Sequence, residues 1–254
     1  MIRGLSINDY DAVIFDLDGT IYEGTAVLEG AKEAVEFIRR NNKNVFFGTN
    51  NSSKSRLQIR NKLINMGIDC EESEIITSSY LAENLIKELK LENIYVFGSQ
   101  SIIDECIANG ISVSQTEKAK NLLIGYDMTM DYCSLTNAFR VAVNAEKIIA
   151  CNLERSYPGE GGKLFPSCGG VVKAIEWCCN RECDYIVGKP SNATMDYVID
   201  RLRVPASRVI VVGDSYDIDV AMALKTGATP IFINKKKKEG IITINNIKEF
   251  VEIF

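Results

Sequence analysis

Histidine is absent from all 254 residues, and this absence restricts the chemistry more than any other feature of the composition. Ser-His-Asp and Cys-His nucleophiles and His-ligated zinc are excluded, so any acid, base or nucleophile must be a carboxylate, Lys, Cys, Ser, Thr or Tyr. Long apolar runs are also missing: none approaches the roughly 20 residues that span a bilayer. The opening MIRGLSINDYDAVIF lacks the h-region and cleavage site of a signal peptide. The expectation is no membrane association and a cytoplasmic location. Basic excess is lacking too, since 34 Asp and Glu outnumber 29 Lys and Arg for a net charge of −5. Nothing therefore draws the chain to a nucleic acid polymer. Lys235 to Lys238 form the only dense basic run, expected as a solvated loop after the strand-like TPIFIN. Paired cysteine spacing is missing as well. The eight cysteines are irregularly placed and read as free thiols, and the closest group, Cys178, Cys179 and Cys183, has neither C-x-x-C pairing nor a fourth ligand for zinc.

What is present is an ordinary globular balance, 46% hydrophobic and 25% charged, which excludes disorder and fibrous repeats. The length suits one large α/β domain or a core carrying a smaller one. Short β-branched apolar runs alternate with helical patterns along nearly the whole chain, the signature of βαβ units around a parallel sheet. AVIF (12–15) is the first strand. In AKEAVEFIRRNN, residues Ala31, Ala34, Val35 and Ile38 fall at i, i+3, i+4 and i+7 on one apolar face. Strand NVFFG follows, then helix SKSRLQIRNKLINMG with Ser52 or Ser53 as N-cap and Gly67 as its stop. Strand-like NIYVFG, NLLIGY, KIIACN, DYIVG (184–188), VIVVG (209–213) and TPIFIN (229–234) continue the pattern. Helices are expected near 101–109, 134–145 and 170–180, and over NATMDYVIDRL and IDVAMALKTG. The middle third has the pattern of a domain inserted into the core.

Four polar clusters follow directly on apolar strands: Asp16-Leu17-Asp18-Gly19-Thr20, Thr49-Asn50-Asn51, Lys189-Pro190 and Asp214. In an open parallel sheet, ligands bind at the carboxyl ends of strands, so these clusters are expected to converge there. A single Asp after a strand is usually a cap or turn former; four such ends with several carboxylates, a lysine and a hydroxyl point to a site. Asp16 and Asp18 stand two apart, which turns both toward one region, and Gly19 permits a sharp bend. Carboxylates that close repel, and an all-oxygen ligand set points to Mg²⁺. Asp214 and Asp219 would supply the remaining acidic ligands. GDSYDID lacks the spaced acids and terminal glutamate of an EF-hand.

DxDGT at Asp16 to Thr20, Thr49, Lys189 and the G-D-x-x-x-x-D from Gly213 to Asp219 together resemble the haloacid dehalogenase superfamily. GTNN, CNLERSYPGEGGKLFPSCGGVVKAIE (151–176) and VGKPS (187–191) look like its NagD-like phosphatase branch. The resemblance covers almost the full chain. It implies a Rossmann-like, doubly wound α/β core over 1–79 and 182–254, with an inserted α/β cap over 80–181 that selects substrate. It also implies a Mg²⁺-dependent phosphomonoester hydrolase, with Asp16 as nucleophile forming an aspartyl-phosphate and Asp18 as general acid and base. By the same resemblance, Thr49, the Asn50 backbone N–H and Lys189 hold the phosphoryl oxygens. Asp16, the Asp18 carbonyl and Asp214 hold the metal, while Asp219 holds its waters or Lys189. Asn50, Asn51 and Asn152 are the candidate substrate-binding residues.

Glu154 stands where the branch often has Asp, and Ser215 where it often has Arg or Asn; both bear on substrate choice and neither removes a chemical part. The glycine-rich PGEGGK is not a P-loop, because residue 157 is Tyr and Leu164 follows the lysine. It reads as a surface turn or as a cap loop over the site, with Asn152, Glu154 and Arg155 toward the leaving group. Dehalogenation is disfavoured because Asp18 supplies a proton that a halide leaving group does not need. The expected partner is a small phosphate monoester, a nucleotide or sugar monophosphate, with p-nitrophenyl phosphate as artificial substrate and dimerisation through the cap. Phosphoglycolate or pyridoxal phosphate hydrolysis and a non-catalytic phosphate-binding role are the alternatives.

Overall fold

Strand β1, Ala12–Phe15, is buried along its whole length, as expected of a parallel strand covered on both faces. The computed structural model describes residues 5–158 and 163–254 and divides into two compact units. The first holds the residues up to Thr49, with Ile59–Ile76 and Lys189–Phe254; the second holds Asn50–Gln58 and Thr77–Gly188.

In the first unit a small antiparallel hairpin, β2 (Tyr22–Glu23) and β3 (Ala26–Val27), follows β1. Helix α1 (Ala31–Arg40) buries Ala31, Ala34, Val35 and Ile38, the face given by the 3.6-residue spacing. Strand β4 (Asn44–Thr49) comes next, then α2 (Arg56–Asn65) and β5 (Ile75–Thr77). The second unit's main elements in chain order are α3 (Ser78–Glu88), β6 (Ile94–Phe97), α4 (Gln100–Ala108), β7 (Asn121–Ile124), α5 (Tyr132–Asn144) and β8 (Lys147–Ala150). The short antiparallel strands β9 (Ser156–Pro158) and β10 (Leu164–Pro166) follow, then α6 (Cys168–Cys179) and β11 (Tyr185–Ile186). The chain closes in the first unit with α7 (Ala193–Leu202), β12 (Val209–Gly213), α8 (Ala221–Thr226), β13 (Thr229–Ile233) and β14 (Ile242–Ile244).

The first unit's sheet has the order β14-β13-β12-β1-β4-β5 and is parallel. It grows outward from β1 in both directions, as a doubly wound sheet does. Phe15 packs on Phe47 at 6.4 Å and, edge to face, on Phe250 at 5.4 Å. Phe250 comes from a final 3₁₀ turn, Ile247–Ile253. The second unit carries its own parallel sheet of order β11-β8-β7-β6.

Three expectations need correction. DYIVG is not a strand of the first sheet: Tyr185 pairs with Ile149 of β8, so the second sheet runs past the expected border at 181/182. An apolar strand pattern does not say which sheet the strand joins. Helix α2 is not capped by Ser52 or Ser53; Ser55 and Gln58 cap it reciprocally, each side chain accepting from the other's backbone N–H. Its stop is at Gly67 as expected, with φ +79°. Finally, the helix after Asp214 opens with a π turn, Tyr216–Val220, before α8. Among the described residues, no helix is long and apolar enough to cross a membrane.

Candidate active site

Neighbouring strands of the first sheet bring the first two acids together. Asp16 leaves the end of β1, where its N–H donates to the Val212 carbonyl of β12 at 2.8 Å, and Asp214 leaves the end of β12 itself. Thr49 ends β4 on the other side of β1 and is buried. Lys189 comes from no strand of this sheet, yet its ammonium group is central. Nζ donates to Asp16 Oδ1 at 2.6 Å, to Asp219 Oδ1 at 2.7 Å and to the Gly48 carbonyl at 2.9 Å. Three donors thus meet three acceptors, which a buried ammonium requires.

Carboxylate oxygens of Asp16, Asp214 and Asp219 all lie within 4.8 Å of one another. Burial is the largest cause that raises the Asp16 pKa well above the usual carboxylate range. Lys189 opposes it, while Asp219 and Asp214 add to it. Asp214 keeps solvent access over part of its surface, yet desolvation, with Asp219 next, pushes its pKa up to about 6. Burial alone would lower the Lys189 pKa; Asp16 and Asp219 outweigh it and raise it. One ammonium against three carboxylates leaves negative charge uncompensated. Such a close, oxygen-only set with one lysine fits a hard divalent cation.

Glycine is required twice in this cluster. Gly19 has φ +85°, and a Cβ there would stand 2.2 Å from Asp214 Oδ2; a Cβ on Gly213 would stand 2.2 Å from Asp219 Cγ. Asp18 differs from the three clustered acids. It is exposed, and its carboxylate accepts from the Tyr22 hydroxyl at 3.3 Å, so its side chain lies outside the metal-competent group. Burial, with Asp18 and Asp16 next, raises the Tyr22 pKa and keeps it a donor. Tyr22 and the Gly48 carbonyl escape a reading of the sequence: no motif residue marks a tyrosine in a hairpin, and a backbone acceptor has no residue-type signal.

Asn50, Asn51 and Asn152 lie in the second unit, although Asn50 is Thr49's neighbour in the chain. Asn152 is fully buried; its Nδ2 donates to the Asn50 carbonyl at 2.7 Å, and its Oδ1 accepts from the Glu154 N–H. Ser78 Oγ donates to the same Asn50 carbonyl at 3.0 Å. Asn51 Oδ1 accepts from the Ser53 and Lys54 N–H groups. Asn152 and Asn51 thus commit polar atoms to shaping the segment after Thr49. Arg155 is exposed on the approach to β9. Most of PGEGGK, residues 159–162, lies outside the described residues. All eight cysteines are free thiols.

Two family models match the sequence: a haloacid dehalogenase-like hydrolase model over residues 13–112 and a related model of the same hydrolases over 186–240. Sugar-phosphatase AraL of Bacillus subtilis is 33% identical over 90% of this chain and 85% of its own length. An acid sugar phosphatase of Staphylococcus epidermidis is 30% identical over 94% and 90%. Among solved structures, the 4-nitrophenylphosphatase of Thermotoga maritima superposes with a TM-score of 0.88 at 26% identity, covering 97% of this chain and 98% of that one.

Proposed function

Because the chain belongs to the haloacid dehalogenase-like hydrolases and is a phosphatase of their NagD-like branch, we propose that it hydrolyses sugar phosphates through an aspartyl-phosphate on Asp16 with Mg²⁺ bound. The observation that carries the reading is the Lys189 ammonium group held between Asp16 and Asp219, with Asp214 beside them. The relatives' names support the substrate: two act on sugar phosphates and one on 4-nitrophenyl phosphate.

In the first step an Asp16 oxygen attacks phosphorus, the bond from phosphorus to the leaving oxygen breaks, and Asp18 gives that oxygen its proton. In the second, water attacks the phosphorus of the aspartyl-phosphate and loses its proton to Asp18, which frees phosphate and restores Asp16. Tyr22 orients the Asp18 carboxylate for both transfers. Lys189 opposes the rise in the Asp16 pKa that burial causes and neutralises the phosphoryl oxygens, to which the Thr49 hydroxyl and the Asn50 N–H donate. Asp16, Asp214, Asp219 and the Asp18 carbonyl would hold the metal, which when bound supplies positive charge to the phosphoryl group and to the acid cluster.

The first unit serves as the hydrolase core and the second as its cap. Exposed Trp177 and Tyr132 support dimerisation through the second unit, and a cytoplasmic location goes with the free thiols.

Purified protein is assayed for phosphate release from p-nitrophenyl phosphate and a panel of sugar phosphates, with EDTA and then excess Mg²⁺. EDTA silences the enzyme and Mg²⁺ restores it, and Asp16→Asn abolishes turnover with its circular dichroism unchanged. Turnover persisting in Asp16→Asn removes the covalent route; turnover persisting in EDTA removes the metal.

A further inference from the structure

The lysine run of Lys235 to Lys238 has no part in the chemistry above, yet the fold places it at the site's edge. Strand β13 lies beside β12, parallel, with Gly213 paired to Phe232. Asp214 therefore stands level with Ile233, roughly 5 Å away, and the lysine run begins two residues further along the same rim. Asp16, Asp214 and the lysine run thus follow three adjacent strands, β1, β12 and β13, at one carboxyl rim. One lysine of the run reaches back past β13: Lys238 Nζ stands 4.8 Å from the centre of the Tyr216 ring, two residues beyond Asp214. Tyr216 is itself fixed edge to face on Phe232 at 5.8 Å.

All four lysines are exposed, and among the described residues none pairs with a carboxylate. The loop has a defined backbone: the Lys236 N–H donates to Asn234 Oδ1, the Lys238 N–H to Thr243 Oγ1, and the Ile241 N–H to the Lys238 carbonyl. Lys237 interacts with Glu249 and Lys238 with the Tyr216 ring, yet four adjacent cations still repel one another, and an anion arriving from solvent relieves that repulsion. The acid cluster one strand away repels the same anion. Screening limits the reach of the strip to about 8 Å at physiological ionic strength, so it acts on a group that comes close to the rim. A cationic strip beside an acidic catalytic centre attracts a second anionic group on the substrate and leaves the reacting phosphoryl group to Lys189.

We infer that Lys235 to Lys238 form a specificity element for phosphate monoesters that carry a second anionic group, a distal phosphate, on the sugar. The inference rests on the phosphatase reading of the site. Its test compares a hexose bisphosphate with the matching hexose monophosphate, and uses p-nitrophenyl phosphate as the control for catalysis itself. The variant is K235Q/K236Q/K237Q/K238Q, which removes charge from an exposed loop. At low ionic strength the variant loses roughly tenfold in kcat/KM for the bisphosphate, through KM with kcat kept, as expected for steering by local charge. Its values for the monophosphate and p-nitrophenyl phosphate move less than about twofold, and high salt closes the gap between variant and wild type. Equal losses on all substrates, or no loss on the bisphosphate, overturn the inference. Wild type that hydrolyses p-nitrophenyl phosphate without a salt-sensitive preference for the bisphosphate also overturns it. Wild type inactive on p-nitrophenyl phosphate and on both hexose phosphates overturns the phosphatase reading, and the inference with it.

Discussion

Lys189 donates to Asp219 at 2.7 Å, and both side chains are 2% exposed, so water screens neither charge. The pair is completed by Asp16 and the Gly48 carbonyl, which leaves the ammonium group with no unused proton.

The first expectation follows from that saturation. Lys189→Met strands two buried carboxylates, and breaking a buried pair from one side costs about 3–5 kcal/mol. Urea unfolding should show that loss, and phosphate release should vanish. Mg²⁺ should recover part of the stability, since it meets the same excess negative charge, and recover none of the turnover. A variant as stable as wild type in EDTA would mean that the lysine does not neutralise these acids.

Gly19 gives a separate handle on the metal. Gly19→Ala combines a left-handed φ of +85° with a Cβ at 2.2 Å from Asp214 Oδ2; the backbone part alone costs about 1–2 kcal/mol. The larger consequence should be on Asp214, which must move. The Mg²⁺ concentration for half-maximal activity is expected to rise at least about tenfold, the scale seen when a metal site's supporting shell is disturbed. Unchanged Mg²⁺ dependence would separate Asp214 from the metal.

Much of this site is legible in the sequence for one physical reason: strand ends in a parallel sheet converge, so Asp16, Thr49 and Asp214 announce themselves by following apolar runs. Lys189 is found by the same rule for the wrong reason, since its preceding strand, Tyr185–Ile186, pairs in the other sheet. Asn152 is expected as a substrate contact from the resemblance of its cap loop; what the sequence does not carry is that its amide is buried and donates to the Asn50 carbonyl. Periodicity carries neither burial nor hydrogen-bond saturation, and it gives no sign of the Gly48 carbonyl or of the Ser55 cap, which depend on local backbone geometry.

Asp18 should reveal its role through the leaving group. Asp18→Asn keeps the shape and removes the transferable proton, and general acid catalysis is worth roughly 10²–10⁴ in rate. A sugar alkoxide needs that proton, whereas p-nitrophenolate leaves well without it. In single-turnover measurements of the first step, the variant should therefore lose much more on a sugar phosphate than on p-nitrophenyl phosphate. Tyr22→Phe, which removes the 3.3 Å contact to Asp18, should give the same ordering with smaller losses. Equal losses on both substrates would assign Asp18 to positioning.

Glu83 makes a prediction about stability in the second unit, away from the chemistry. Its side chain is buried in α3; Asn109 Nδ2 donates to Oε2 at 2.7 Å and Cys106 Sγ to Oε1 at 3.5 Å. Burial is the main cause that raises its pKa from 4.5 to about 7. The folded chain therefore binds this proton more tightly than the unfolded chain, and the contribution to stability is fully present below about 4.5. It is lost as pH rises through about 7, for a total on the order of 3 kcal/mol. Thermal unfolding should show wild type losing stability between those values, and Glu83→Gln, which cannot ionise, should flatten that part of the profile. Because the site carboxylates are untouched, the variant's kcat on p-nitrophenyl phosphate should match wild type at low pH. A Glu83→Gln profile parallel to wild type across this range would assign the slope to other groups.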